Sequence, residues 1–425
     1  MLGMTLAWDL ARDDRSITIF EGAPTPGGLA APWQLGDVVW DRHYHVTLLS
    51  DSSLRSLLTE LELDKEMRWS RTQTGFYGNG RLYPFSGALD FARFPLLNPI
   101  EKLRFGLSIL RASRLKSPES IDHLTTEEWL TRIAGPQVFQ KIWQPLLRAK
   151  LGENYRNTSA TFIWATIQRL YAARRSGLRE ERFGYLPGGY ARMLDRFEGA
   201  LRRKGVCIHR NTKINEIAGC PNGGVAVHAQ NGSGHFDRVI VTVPAALASR
   251  LCPQLSAAES NLLDSVAYEG IVCTSLLLKQ PLSPYYITNI VDKTIPLTGV
   301  IEMSALVDRE MFKGRALVYL PRYLPPDDPA FDRTDEEIEA ESISALRRIH
   351  PQLKDEDVLA CRVSRARHVY PRPLPGSGRR KLPVDTSIPG LHILNSANIS
   401  AGTLNVNETV QLARREARRL NELAA

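Results

Sequence analysis

The stretch from Leu2 to Gly28 sets the tightest limit on the fold. Leu2, Leu6 and Leu10 recur at helical spacing, and polar residues follow from Arg12 to Arg15. The run SITIFE then carries Ile17, Ile19 and Phe20 with β-branched alternation and ends on an acid, Glu21. Helix, turn, strand and terminal acid form the second half of a βαβ nucleotide-binding unit. In such a unit a glycine turn brings backbone N–H groups to a pyrophosphate at a helix N-terminus. The acid closing the second strand accepts hydrogen bonds from a ribose. Gly3 precedes Glu21 by about 20 residues, so it reads as the third glycine of GxGxxG. The preceding strand and the first two glycines do not occur in the chain, which starts at Met1. The expectation is a reading frame that begins one strand late, with an apolar strand and Gly-x-Gly encoded upstream.

Directly after the acid, EGAPTPGGLAA sets Gly27 and Gly28 behind Pro26. Glycines here either let backbone pass close to a ligand that a Cβ would block or make an ordinary turn. The local residues leave both readings open.

A chain of 425 residues accommodates two or three domains with sizeable cores. Its 43% hydrophobic and 24% charged content is that of a globular protein rather than a disordered or fibrous one. The net charge of +8 suits a basic enzyme surface, an acidic substrate such as a nucleotide-linked sugar, or an anionic membrane surface. Lys and Arg are scattered without interleaved aromatics, which argues against nucleic-acid binding. Cys207, Cys220, Cys252, Cys273 and Cys361 lie far apart without CxxC spacing. That pattern argues against a disulfide framework or zinc site and fits a reducing cytoplasm. No apolar run approaches the roughly 20 residues of a spanning helix, so a cytoplasmic protein with at most peripheral membrane contact is expected.

The run VVWDRHYHVTLLSD alternates through Val38, Trp40, Arg42, Tyr44 and Val46, which puts His43 and His45 on one strand face. No third ligand of suitable spacing is near, and no metal site is expected. Helical character follows from about Pro84 to Arg182. Thr125 and Glu128 form a capping box for a helix that should stop at Gly135. In IEKLRFGLSILRASRLK, Leu103, Leu107, Ile109 and Leu110 oppose Lys102, Arg104, Arg111 and Arg114. Such a stripe either packs into a core or rests on a membrane surface.

Gly3, Glu21 and PGGLAA together resemble the FAD-binding entry of the amine-oxidase and protoporphyrinogen-oxidase superfamily of NAD(P)/FAD-dependent flavoproteins, and the resemblance extends over essentially the whole chain. It implies that Glu21 binds the adenosine ribose and that Gly27, Gly28 and Leu29 pass the pyrophosphate and flavin. Ala30 stands where many members carry Arg. The stretch around His45 approaches the flavin ring in these proteins, making His45 the candidate catalytic residue. The segment IWQPLLRAKLGENYRNTSATFIWATIQR resembles the Pro-Leu…Lys-x-Gly stretch of a bacterial subgroup. There this region forms the substrate domain, and Lys150 becomes a candidate substrate contact.

Gly188 and Gly189 lead into an amphipathic helix with Met193, Leu194, Phe197 and Leu201, followed by the strand VCIHRNTKINEI. By the resemblance, Ile214 contacts the adenine through its backbone. From Ala267 to about Pro383 the pattern is strands plus one helix, TDEEIEAESISALRRIH. Tyr285, Tyr286, Asn289 and Tyr370 fall where a substrate pocket could draw its walls. The closing block has a short strand, LHILN, and a helix starting at Thr403 to Asn405. The resemblance places Asn395 and Ser396, where the family usually has Gly and an acid, at the ribityl and phosphate region. Leu404, Asn405 and Val406 would approach the flavin pyrimidine edge. Backbone N–H groups of a helix N-terminus stabilise the charge that develops there on reduction.

The expected fold is therefore α/β. A Rossmann-like FAD/NAD(P)-binding domain, without its first strand, is assembled from residues 1–80, 184–260 and 384–425. An inserted α+β substrate domain comprises a helical part, 81–183, and a mixed sheet, 261–383. The implied activity is that of an FAD-dependent oxidoreductase taking a hydride from a small organic molecule at an amine or other C–H/C–N bond. A flavoenzyme similar to UDP-galactopyranose mutase and a non-catalytic flavoprotein-like scaffold are the alternatives.

Overall fold

A computed structural model describes residues 1–175, 182–376, 382–399 and 404–422. The first helix, Leu2–Leu10, buries Met4, Leu6 and Ala7. Leu6 joins Leu412, Ala413 and Ala417 of the last helix, Val406–Glu422. Met4 and Ala7 join Met193, Leu194 and Phe197 of the helix Gly189–Arg203. Val406 and Val410 of the last helix join that same cluster, so residues from the two ends and the middle of the chain share one core.

Strand Thr18–Phe20 runs parallel to Cys207–His209, with Thr18 opposite Cys207. A second parallel pair joins Val239–Val241 to Leu391–Ile393. No described strand links the two pairs by hydrogen bonds. A three-stranded antiparallel meander, Ile214–Gly219, Val225–Ala229 and Gly232–Phe236, lies between these segments in sequence.

The largest sheet has seven strands. Its order is Val358–Pro371, Tyr268–Leu278, Ala316–Leu324, Gly299–Glu302, Tyr285–Ile290, Gln73–Gly78 and Arg81–Pro84. Tyr268–Leu278 is buried along its whole length, and Glu269, Thr274 and Ser275 interrupt its apolar residues. The polar Thr274 within it shares a 2.8 Å hydrogen bond with Ser342, pinning the helix Asp335–Ile349 to the sheet. The mixed character comes from Tyr285–Ile290, antiparallel to Gly299–Glu302 but parallel to Gln73–Gly78. Residues 73–80, expected with the nucleotide-binding stretches, therefore belong to this sheet. Their strand pattern is legible locally, but the edge they join is set by a partner some 200 residues away.

Helix Thr126–Ala134 starts and stops where its sequence predicts. Thr125 Oγ1 accepts from Glu128 N at 3.1 Å, Glu128 Oε2 accepts from Thr125 N at 2.8 Å, and Gly135 ends it at φ +88°. Trp129, Leu130 and Leu147 pack in one cluster with Tyr286, Tyr319 and Tyr323 of the large sheet. Helix Pro99–Arg114 is rotated away from the core-packing alternative. Its buried positions are Glu101, Ser108 and Ala112, while Leu103 and Leu107 face outward. The cause is Glu101, whose carboxylate accepts from Asn98 N at 2.8 Å and from Lys141 Nζ at 2.8 Å. That capped, paired acid fixes the helix rotation against its apolar stripe.

Candidate active site

A cavity of about 1020 Å³ lies between the nucleotide-type segments and the large sheet. It is at the upper end of the roughly 300–1,000 Å³ typical of a pocket for one small ligand. Gly27, Gly28, Leu29, His45, Asn395, Ser396, Leu404, Asn405 and Val406 all line it. Gly3, Glu21 and Ile214 do not. Gly3 sits in the first helix with its Cα hydrogen side toward Thr242, itself a lining residue. The Glu21 carboxylate accepts from Ala23 N at 2.9 Å, and Ile214 opens the antiparallel meander opposite Ala229.

The two adjacent glycines differ in what they are for. Gly27 has φ +126°, and a Cβ there would stand 2.7 Å from Leu194 Cδ1, so its smallness serves packing. Gly28 has φ +63°, and a Cβ there would meet no protein atom within 4 Å. Its bare backbone faces the cavity. The Gly188–Gly189 pair has a different purpose again. A Cβ on Gly189 would lie 2.8 Å from Asp41 Oδ1, which accepts from Tyr190 N at 2.7 Å. These glycines bring the helix N-terminus onto a buried carboxylate.

At the other end of the chain, Asn395 Oδ1 accepts from Ala397 N at 3.0 Å, and its Nδ2 has no partner although the residue is 1% exposed. Asn405 Oδ1 accepts from Glu408 N at 3.0 Å, so this side chain is the cap of the last helix, which begins at Val406. Thr403, expected to open that helix, lies outside the described residues. Asn407 Oδ1 accepts from Ser53 N at 2.9 Å and Leu54 N at 3.1 Å, capping the helix Ser52–Glu60 from a distance.

His45 stacks on Tyr190 with ring centres 4.8 Å apart, and its Nδ1 stands 3.6 Å from Asp41 Oδ2. His43, its expected face-mate, is buried, which holds its imidazole down at about 3 and hence neutral. Among the described residues no three His, Cys, Asp or Glu side chains gather as metal ligands.

Aromatic walls and one lysine make the rest of the cavity. Lys150, on the helix Gln144–Leu151, puts Nζ 3.4 Å from the centre of the Tyr323 ring and 5.4 Å from that of Tyr370. The Tyr370 hydroxyl donates to the Lys150 carbonyl at 2.9 Å, and the Tyr44 and Tyr323 hydroxyls share a 2.9 Å hydrogen bond. Behind them Glu269, wholly buried, accepts from Asn154 Nδ2 at 2.9 Å and pairs with Arg372 Nε at 3.2 Å. Burial pushes the Lys150 ammonium down to about 7, with Glu269 opposing. Burial raises Glu269 to about 7, opposed by the Asn154 hydrogen bond, Arg372 and Lys150. A lysine poised near neutrality can hold or accept a proton at Nζ within a shielded chamber. Of this group, Tyr44, Glu269, Tyr323 and Arg372 carry no motif. Glu269 alone left a signal, as a charged residue inside the apolar strand Tyr268–Leu278.

A curated relative, coproporphyrinogen III oxidase of Staphylococcus aureus (strain NCTC 8325 / PS 47), is 20% identical over 276 residues, which are 57% of this chain and 58% of that enzyme. The chain therefore spans less than two thirds of the curated relative it matches. A candidate protoporphyrinogen oxidase from Exiguobacterium sp. 255-15 has a similar structure, with a TM-score of 0.77 at 18% identity over 100% of this chain and 96% of that one. A reduced UDP-galactopyranose mutase gives a TM-score of 0.74 at 15% identity over 99% and 93%. These likenesses establish the fold. Residues 2–421 match the family described as flavin containing amine oxidoreductase, and the chain belongs to that family.

Proposed function

We propose that the chain binds FAD in the glycine-and-asparagine end of the cavity and oxidises a small organic molecule held in the aromatic end. The observation that carries this reading is convergence: segments near residues 28, 396 and 405 and the caged Lys150 all line one cavity. The residues present fit the cofactor. Gly28 offers backbone with the space of a Cβ left open toward the cavity, and Asn395 keeps a buried donor without a protein partner. The N-terminus of Val406–Glu422 turns its positive dipole end to the same space.

Gly27, Gly28 and Leu29 would hold the pyrophosphate by backbone N–H groups, with Asn395 and Ser396 nearer the ribityl chain. Glu21 and Ile214, outside the cavity lining, would serve the adenosine end. FAD, when bound, supplies a two-electron acceptor for a hydride leaving a substrate carbon. Tyr44, Tyr286, Tyr323 and Tyr370 exclude water and hold the substrate. Lys150 Nζ accepts the proton that the substrate's nitrogen or oxygen must release for that carbon to give up its hydride. His45, stacked on Tyr190, orients the wall beside Asp41.

Arg372 lines the same end beside Lys150, whose ammonium is charged below about pH 7. Those two basic groups support a second reading, a mutase acting on a nucleotide sugar without net redox change. Anaerobic incubation of the flavin-loaded protein with a panel of primary and secondary amines, and separately with UDP-galactopyranose, decides between them. Bleaching of the flavin band by an amine supports oxidation. Isomerisation of the sugar without bleaching replaces it with the mutase reading.

A further inference from the structure

Six large aliphatic side chains are exposed among the described residues, and four of them, Leu89, Ile100, Leu103 and Leu107, lie within 19 residues of sequence. They belong to two neighbouring helices, Ala88–Arg93 and Pro99–Arg114. Ile100, Leu103 and Leu107 recur at i, i+3 and i+7, one stripe along the longer helix. Leu103 is 64% exposed, Ile100 67% and Leu89 61%, so this is a surface patch rather than a frayed core.

The charge around the patch is mostly positive. Arg104, Arg111 and Arg114 continue the same face at i+4, i+11 and i+14 from Ile100, and Arg93 and Lys116 flank it, all exposed. Of the two carboxylates between residues 88 and 116, only Asp90 sets a negative charge against these five cations. Asp90 accepts from Ser86 N at 2.9 Å and Gly87 N at 3.3 Å, and Glu101 is buried on Lys141. Facing a second copy of itself, such a patch would set like charges together. A protein partner's hot spot is enriched in Trp, Tyr and Arg; the patch has the arginines but carries leucine and isoleucine where the aromatic anchors would stand. An anionic bilayer satisfies both halves, with leucines below the headgroups and arginines among the phosphates.

We propose that the face formed by helices Ala88–Arg93 and Pro99–Arg114 docks the protein peripherally on an anionic membrane surface. The platform is already folded. Trp164 Nε1 donates to Leu115 O at 3.1 Å and Gln168 Nε2 to Ala112 O at 2.8 Å, tying the helix end to the cavity wall. Docking therefore needs no coupled folding. No helix among the described residues is long and apolar enough to cross a membrane, so the contact is a surface one.

The test is flotation of the full chain with vesicles of phosphatidylglycerol and phosphatidylcholine, against vesicles of phosphatidylcholine alone. Partitioning should be at least about tenfold stronger on the anionic vesicles and weaken with salt. The double variant Leu103→Glu/Leu107→Glu should lose it by a similar factor while melting normally, because both side chains are exposed. Leu359→Glu, an exposed aliphatic elsewhere, should change nothing. Absence of partitioning, or equal partitioning of the double variant, overturns the proposal. So does a fall in oligomeric mass of that variant, which would assign the patch to self-association.

Discussion

Lys150 Nζ stands 3.4 Å from the centre of the Tyr323 ring, and the carboxylate that acts on it, Glu269, is itself occupied by Asn154 and Arg372. A desolvated cation–π contact contributes about 2 kcal/mol, while removing an ammonium from water costs several. Desolvation wins, which is why this lysine sheds its proton near neutrality rather than near 10.5.

Activity should follow that proton. With Lys150 as acceptor, kcat/KM rises with pH through about 7, where Nζ becomes neutral. Lys150→Met should lower kcat/KM by about 10²-fold or more and remove the rising limb. Between pH 7 and 10.5 the unfolded chain holds a proton on this lysine that the folded chain has lost, so the residue makes stability increase with pH there. Melting curves of the Met variant should show a flatter rise over that interval.

His45 should matter less. Its ring stacks on Tyr190 and stands 3.6 Å from Asp41 Oδ2, a wall position in the cavity that Lys150 also lines. His45→Ala should reduce kcat by less than about tenfold, short of the loss expected on removing a general base. A hundredfold fall with an unchanged melting temperature would move the proton-transfer role from Lys150 to His45.

The adjacent glycines separate packing from ligand binding. Gly27→Ala forces a Cβ to 2.7 Å from Leu194 at φ +126° and should cost about 1–3 kcal/mol of stability. Gly28→Ala, at φ +63° with no protein neighbour, should cost only about 1–2 kcal/mol and yet weaken FAD binding by about tenfold or more. Thermal melts of apoprotein beside flavin titrations read the two effects independently.

Asn407 ties the last helix to the helix Ser52–Glu60 by capping Ser53 N and Leu54 N. Asn407→Ala leaves those donors without their acceptor and should destabilise the protein by about 0.5–2 kcal/mol. Asn407→Asp, which keeps the acceptor, should recover most of that in a denaturant titration.

Local signals were the readable part of this fold. The Thr125–Glu128 box, the Gly135 stop and the strand ending at Phe20, just before Glu21, each follow from neighbours within a few residues. What eluded the sequence depends on distant partners. Glu101 turned the helix Pro99–Arg114 through a lysine 40 positions away, and Gln73–Gly78 found its sheet edge at residues 285–290. Gly188 and Gly189 carried a visible motif, yet their reason, the carboxylate of Asp41, stands 149 positions away from Tyr190. The aromatic cage was legible only in part, for the same reason: Lys150 and Tyr370 stood out as candidates, and Tyr44 and Tyr323 did not. Tyr44, Lys150, Tyr323 and Tyr370 lie on four separate segments, and only their side-chain contacts make them a site.

The proposed function requires one cavity that holds a flavin in its glycine-lined end. Titration of the purified chain with FAD, followed by visible absorption and flavin fluorescence, tests that most directly. Saturable binding with a perturbed flavin spectrum, lost or weakened about tenfold in Gly28→Ala, is the predicted result. A folded protein that leaves the flavin spectrum unchanged at every concentration would contradict the account and leave a flavoprotein-like scaffold in its place.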